Sequence, residues 1–134
     1  MPLTIAEVRA VFAEFETGDG LGFFKHVADD VDWTVLGTHP LAGHYRGRTA
    51  FVQGTFAKLA RVLTHGAQLR ATSILVSGDW AAVELEANAT ARNGLRFDNR
   101  YCWLTRFADG KIVEVRAYLD SALVQRVFDE NPLP

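Results

Sequence analysis

Two glutamates stand two residues apart in an otherwise apolar run, Val83-Glu84-Leu85-Glu86-Ala87, and this is the first spacing in the chain that suggests chemistry. On a strand, a separation of two puts both carboxylates on one face. Held side by side in a water-poor cavity, such groups raise one another's pKa through desolvation and like charge. That is how a general acid and a general base come to work as a pair. The residues leave the direction of this face open. Hydrophobic alternation by itself turns Val83, Leu85 and Ala87 to the core and sends Glu84, Glu86 and Asn88 to water.

The stretch 95–107 carries a clearer pattern. Phe97, Asn99, Tyr101, Trp103, Thr105 and Phe107 share one face, against Arg96, Asp98, Arg100, Cys102, Leu104 and Arg106 on the other. Aromatics against charges put the first set inward. Asn99 is then placed to orient a ligand carbonyl, while Tyr101 and Trp103, with Trp33 from an earlier strand, supply the apolar walls common to small-molecule sites. His39 and His44 lie in a loop, and His26 and His65 at helix ends. No His, Cys and carboxylate spacing matches a metal motif, so neither a metal nor a cofactor is expected. Nothing marks Cys102 as an activated thiolate. There is no Gly-rich phosphate loop and no nucleophile elbow.

These residues must be positioned by helices first and strands afterwards. Thr4 and Glu7 form a capping box, and Ile5, Val8, Val11, Phe12 and Phe15 continue a helical apolar face to Gly18. A short second helix is expected after Asp19 or Gly20. The period then changes to two at Val31, Trp33 and Val35. Residues 37–48 hold three glycines and a proline and read as one long loop. Thr49 is the expected cap of a third helix carrying Phe51, Phe56, Leu59 and Leu63 to about Gly66. Strands at 69–76, 80–91, 95–107 and 111–119 follow, with turns at Gly78, Asn93-Gly94 and Asp109-Gly110. Asp120 caps a closing helix with Leu123, Val124, Val127 and Phe128.

At 134 residues, with no repeat or linker, one α+β domain spanning 1–134 is expected. Fourteen basic against sixteen acidic residues give a charge of −2 and no basic stripe, which argues against nucleic acid. No apolar run reaches membrane-spanning length, and the first ten residues lack the apolar centre of a secretion signal. With a single cysteine, the expected location is the cytoplasm.

The segments TGDGLGFFKHVADDVDW, PLAGHYRGRTAF and NRYCWLTRFADGKIVEVRAYLD, in this order across residues 4–128, carry a family resemblance. The chain resembles the nuclear-transport-factor-2-like superfamily, within it the SnoaL-like or ketosteroid-isomerase-related group. The resemblance implies a cone-shaped barrel of a strongly curved, mainly antiparallel sheet. Three N-terminal helices close it, with a short C-terminal helix and a pocket inside. It implies a small organic ligand and a homodimer, with activities in the group that include isomerisation, cyclisation and epoxide hydrolysis. Fold alone does not deliver function.

Gapless alignment of the N-terminal GD-to-DD stretch puts Val11 and Val35, and alignment on the hairpin glycine Gly94 puts Trp103, at the three catalytic positions of ketosteroid isomerase, so that mechanism is not expected here. The positions of a limonene-type epoxide hydrolase hold Glu84, Glu86 and Ala117, and Asp120 stands nearest the acid of the cyclases. Alignment to the family turns Glu84, Glu86 and Asn88 into the pocket and leaves the aliphatic row on the convex face as a dimer surface. Following it, Glu86 is the expected base and Glu84 its partner. Trp33, Val35, His39, Asn88, Asn99, Tyr101, Trp103 and Ala117 surround a small hydrophobic carbonyl-type ligand. A non-catalytic binding protein of the same fold is the alternative, and a protein-interaction scaffold the third.

Overall fold

A computed structural model describes residues 2–133. Helix α1 spans Ile5–Ala13, capped by the Thr4 hydroxyl, which accepts from the Glu7 N–H at 3.1 Å. Two short 3-10 turns, Glu14–Glu16 and Leu21–His26, carry the chain into β1 at Val27–Val35. Strand β2 (Gly43–Arg46), helices α2 (Arg48–Gly54) and α3 (Phe56–Val62), and strand β3 (Gln68–Ser77) follow. Strands β4 (Trp80–Asn88), β5 (Arg100–Ala108) and β6 (Lys111–Leu119) precede α4 (Ser121–Glu130), which Asp120 caps through Leu123 N–H.

The strands form one six-stranded sheet in the order β2-β1-β6-β5-β4-β3. Only the β1–β6 pairing is parallel. Register shifts at Ala71/Ser73, Arg106/Phe107 and Val27/Asp32 mark bulges, which increase local twist and bend. The sheet is curved and unclosed, and its concave face holds the core. The expected α+β architecture is therefore present.

Local differences from the sequence reading have physical causes. The loop 37–48 contains β2, because Tyr45 and His44 pair with Trp33 and Thr34. The third helix starts at Arg48 rather than after Thr49. Arg48 anchors it, donating to the carbonyls of Val27 at 2.9 Å and Phe24 at 3.3 Å and pairing with Asp29 at 2.5 Å. It then breaks at Thr55, whose backbone (φ −130°, ψ −77°) is not helical. Gly54 is required here, since a Cβ would run into the Tyr45 ring. Regular strand pairing gives way between Asn88 and Arg100 to the isolated bridge Thr90–Arg96, flanked by hydrogen bonds from Ala91 N–H to the Leu95 carbonyl and from Phe97 N–H to the Ala89 carbonyl, each 2.8 Å.

Candidate functional site

The concave face of β1, β5 and β6 presents Trp33, Val35, Tyr101, Trp103 and Ala117 to one small cavity of about 40 Å³. Phe51, Thr55, Phe56 and Leu59 of the α2–α3 segment form its roof, with Leu41 at the side. Ring packing explains the shape. Trp33 stacks on Phe51 with centroids 3.7 Å apart and meets Trp103 edge-on at 5.2 Å. Tyr101 lies 6.2 Å from Trp103, also edge-on. These are favoured aromatic geometries, each adding to the burial itself. The volume suits roughly one water molecule.

Few polar atoms reach this interior. Thr55 Oγ1 is engaged, donating to the Phe51 carbonyl at 2.7 Å. Trp33 Nε1 and both side-chain heteroatoms of Asn99 are buried without a hydrogen-bond partner among the described residues. An amide left so costs about 1–3 kcal/mol, which asks for a reason. Asn99 is fully buried, two residues before Tyr101 on the same inward row, but it is not among the residues that line the cavity.

The Tyr101 phenol is pushed up to about 12 by burial, with Asn99 beside it opposing that in part. An unfolded tyrosine ionises near 10. The fold thus favours the neutral phenol: stability is unaffected below pH ~10 and falls as pH rises through about 12. Circular dichroism should show wild-type protein losing more stability over that alkaline window than Tyr101→Phe; equal losses would contradict the burial.

The glutamates lie elsewhere. Glu84, Glu86 and Asn88 point to the convex face, while Val83 and Leu85 are at most 1% exposed and Ala87 3%. The expectation of an acid pair inside the pocket is therefore corrected. One strand can bury only one of its two faces. Burying Val83 and Leu85 gains about 1.5–3 kcal/mol each, whereas an interior carboxylate costs several kcal/mol. The register gives Glu86 further reason to stay outside, since it faces Arg70 on β3 and Arg100 on β5. It pairs with Arg70 at 2.5 Å. The dimer argument built on an outward aliphatic row is corrected with it.

His39 is corrected too as a ligand contact. The residue is buried, and its ring is spent on the loop backbone: Nε2–H donates to the Leu36 carbonyl at 2.9 Å and Nδ1 accepts from Leu41 N–H at 3.2 Å. Because a backbone N–H can only donate, the tautomer follows. His44 reaches Asp32 at 2.5 Å on an exposed edge, and Asp120 serves as the α4 cap. Cys102 faces outward, its thiol pushed up by burial and by Glu84.

A larger, open groove of about 600 Å³ lies along Arg70, Glu86, Asn88, Arg96, Asp98 and Arg100. Its charges are largely paired, with Arg96 on Asp98 at 2.5 Å and donating to Asn88 Oδ1 at 2.6 Å. Sequence reasoning missed the α2–α3 roof. Its signal was available in Phe51, Phe56 and Leu59, a helical apolar face read only as core.

The family model described as SnoaL-like domain matches residues 8–115. Among characterised proteins, Dimerizing cyclase phiC of a fungal species is 30% identical over 114 residues, covering 82% of this chain and 50% of that protein. The chain thus spans about half the length of the curated relatives it matches. A protein of unknown function with a cystatin-like fold from Xanthomonas campestris is 31% identical, with TM-score 0.75, covering 92% of this chain and 95% of that one. An NTF2-like protein from Burkholderia thailandensis shares the fold at 24% identity and TM-score 0.77, with the same coverage.

Proposed function

Since this chain belongs to the SnoaL-like domain family, we propose that its concave cavity is the small-molecule site of an enzyme of the cyclase or isomerase type. Its ligand is a small hydrophobic carbonyl compound. The observation that carries this reading is the aromatic-walled apolar cavity with the neutral Tyr101 phenol on its wall. The name dimerizing cyclase, borne by relatives, supports the reaction class.

In such a cavity the protein acts by donation rather than by a carboxylate base. The Tyr101 hydroxyl and the Trp33 indole N–H polarise the ligand carbonyl, and the acidified neighbouring C–H gives its proton to water or to a basic group of the ligand. Low surrounding polarity strengthens each donor. At about 40 Å³ the cavity must widen for a ligand, and the non-helical joint at Thr55 is where the α2–α3 roof would have to hinge.

Deuterium uptake by acetophenone in heavy water, followed by mass spectrometry, tests this without the natural substrate. Uptake should be accelerated by wild type and by Glu86→Gln, and reduced roughly 100-fold in Tyr101→Phe, the usual weight of one such donor. Undiminished uptake in Tyr101→Phe would remove the reading.

One observation favours a second reading, ligand binding without turnover: among the described residues that line the cavity, none is a carboxylate or a histidine. Thermal stabilisation by acetophenone without deuterium uptake would select it. A homodimer through the convex face belongs to the proposal. Its contacts are now Leu75, Trp80, Leu104 and the exposed Tyr118 instead of the aliphatic row.

A further inference from the structure

Leu69, only 3% exposed, borders two spaces at once: the concave cavity and the open groove of about 600 Å³. Phe15 repeats the arrangement. It borders the groove and stacks parallel to Phe56, a wall of the cavity, with ring centroids 6.2 Å apart. The two spaces thus meet across apolar side chains, and a ligand chain passing between these breaks no hydrogen bond. The meeting point lies at the end of the sheet where β3 begins and β4 ends, in the register Gln68↔Asn88 and Leu69↔Ala87.

The groove is charged where the cavity is not. Strand register sets Arg70, Glu86 and Arg100 side by side across β3, β4 and β5. This row holds two guanidiniums and one carboxylate, and the carboxylate is bound to Arg70 at 2.5 Å. Asp98 is likewise taken, by Arg96 at 2.5 Å. The Arg100 side chain makes no hydrogen bond or ion pair among the described residues, so the row has an unmet positive charge within the groove lining. Glu16, from the 3-10 turn after α1, borders the groove too but does not pair with it.

We propose that cavity and groove form one site for an elongated amphipathic acid, with its apolar end between Trp33 and Trp103, its chain past Leu69 and its carboxylate on Arg100. This rests on the concave cavity being the ligand site. The charged end stays outside because no charged side chain lines the cavity among the described residues, and an anion there would lose its water without a counter-charge. A planar carboxylate matches the guanidinium fork. The substrate class narrows accordingly, from any small hydrophobic carbonyl compound to one that also carries a carboxylate on a short chain.

Phenylbutyrate and its neutral counterpart phenylbutyramide test this. Wild type should bind the acid roughly fivefold more tightly than the amide, the most that one solvent-open ion pair supplies. Arg100→Gln should bind both alike; Arg100 is exposed and unpaired, so this variant should melt as wild type does. In nitrogen–proton correlation spectra titrated with phenylbutyrate, the indole signals of Trp33 and Trp103 and the backbone amides of Arg70 and Arg100 should move with one dissociation constant. Three results each overturn the inference and leave the cavity reading standing: indole signals moving without the Arg70 and Arg100 amides, equal affinity of wild type for both probes, or a preference that survives Arg100→Gln. Arg70 and Arg100 amides moving alone, in a protein whose indole signals still answer to toluene, overturn it as well. Indole signals that respond neither to phenylbutyrate nor to toluene overturn both this inference and the cavity reading beneath it.

Discussion

Leu85→Glu is expected to leave little folded protein, while Glu86→Gln two atoms' breadth of backbone away changes melting only slightly. Leu85 is 1% exposed on the concave face. The substitution forfeits about 1.5–3 kcal/mol of burial and adds an unpaired interior charge worth several more. Against a total stability of roughly 5–15 kcal/mol for a domain of this size, that is a large share or all of it. Glu86 has only its surface pairing with Arg70 to lose, and such pairs contribute about 0–1 kcal/mol. Urea denaturation of the two variants reads the contrast directly. Comparable losses in both would mean that β4 is turned the other way.

Trp103→Ala is the second large effect, about 3–5 kcal/mol of stability. Its ring is 3% exposed and touches Phe12, Phe15, Phe23 and Trp33. Part of the loss should be recoverable. An apolar cavity of order 150 Å³ stays dry and takes up benzene-sized molecules. A ligand present at a hundred times its dissociation constant restores about 2.7 kcal/mol. Added indole should therefore raise the melting temperature of Trp103→Ala far more than that of wild type. A variant that indole leaves untouched has collapsed around the gap, and the roof then packs more plastically than the ring geometry implies.

Much of the fold was readable because period and punctuation agreed. Thr4 and Asp120 cap the helices they were expected to cap, and the inward row from Phe97 to Phe107 is buried as its alternation required, apart from the half-buried Tyr101. The strand β2 escaped because its four residues lie among glycines and carry no hydrophobic alternation, although its partner β1 is the strand just before it. The direction of β4 was also readable. Hydrophobic alternation alone turned Val83 and Leu85 inward, and alignment to distant relatives overrode it. A single-residue slip in such an alignment reverses every side chain of a strand, whereas burial energy does not depend on register guesses. The partners that hold Glu86 outside, Arg70 and Arg100, come from neighbouring strands, so only the pairing reveals them. His39 illustrates a different limit: nothing local says that both ring nitrogens turn back onto its own loop.

Three tryptophans make the central claim directly measurable, because Trp33 and Trp103 line the concave cavity and Trp80 lies on the convex side beneath Arg116. In a nitrogen–proton correlation spectrum titrated with toluene, the indole signals of Trp33 and Trp103 should move while that of Trp80 and the amides of Glu86 and Asn88 stay fixed. Movement of Glu86 and Asn88, with Trp33 and Trp103 unmoved, would put the ligand in the outer groove and contradict the account.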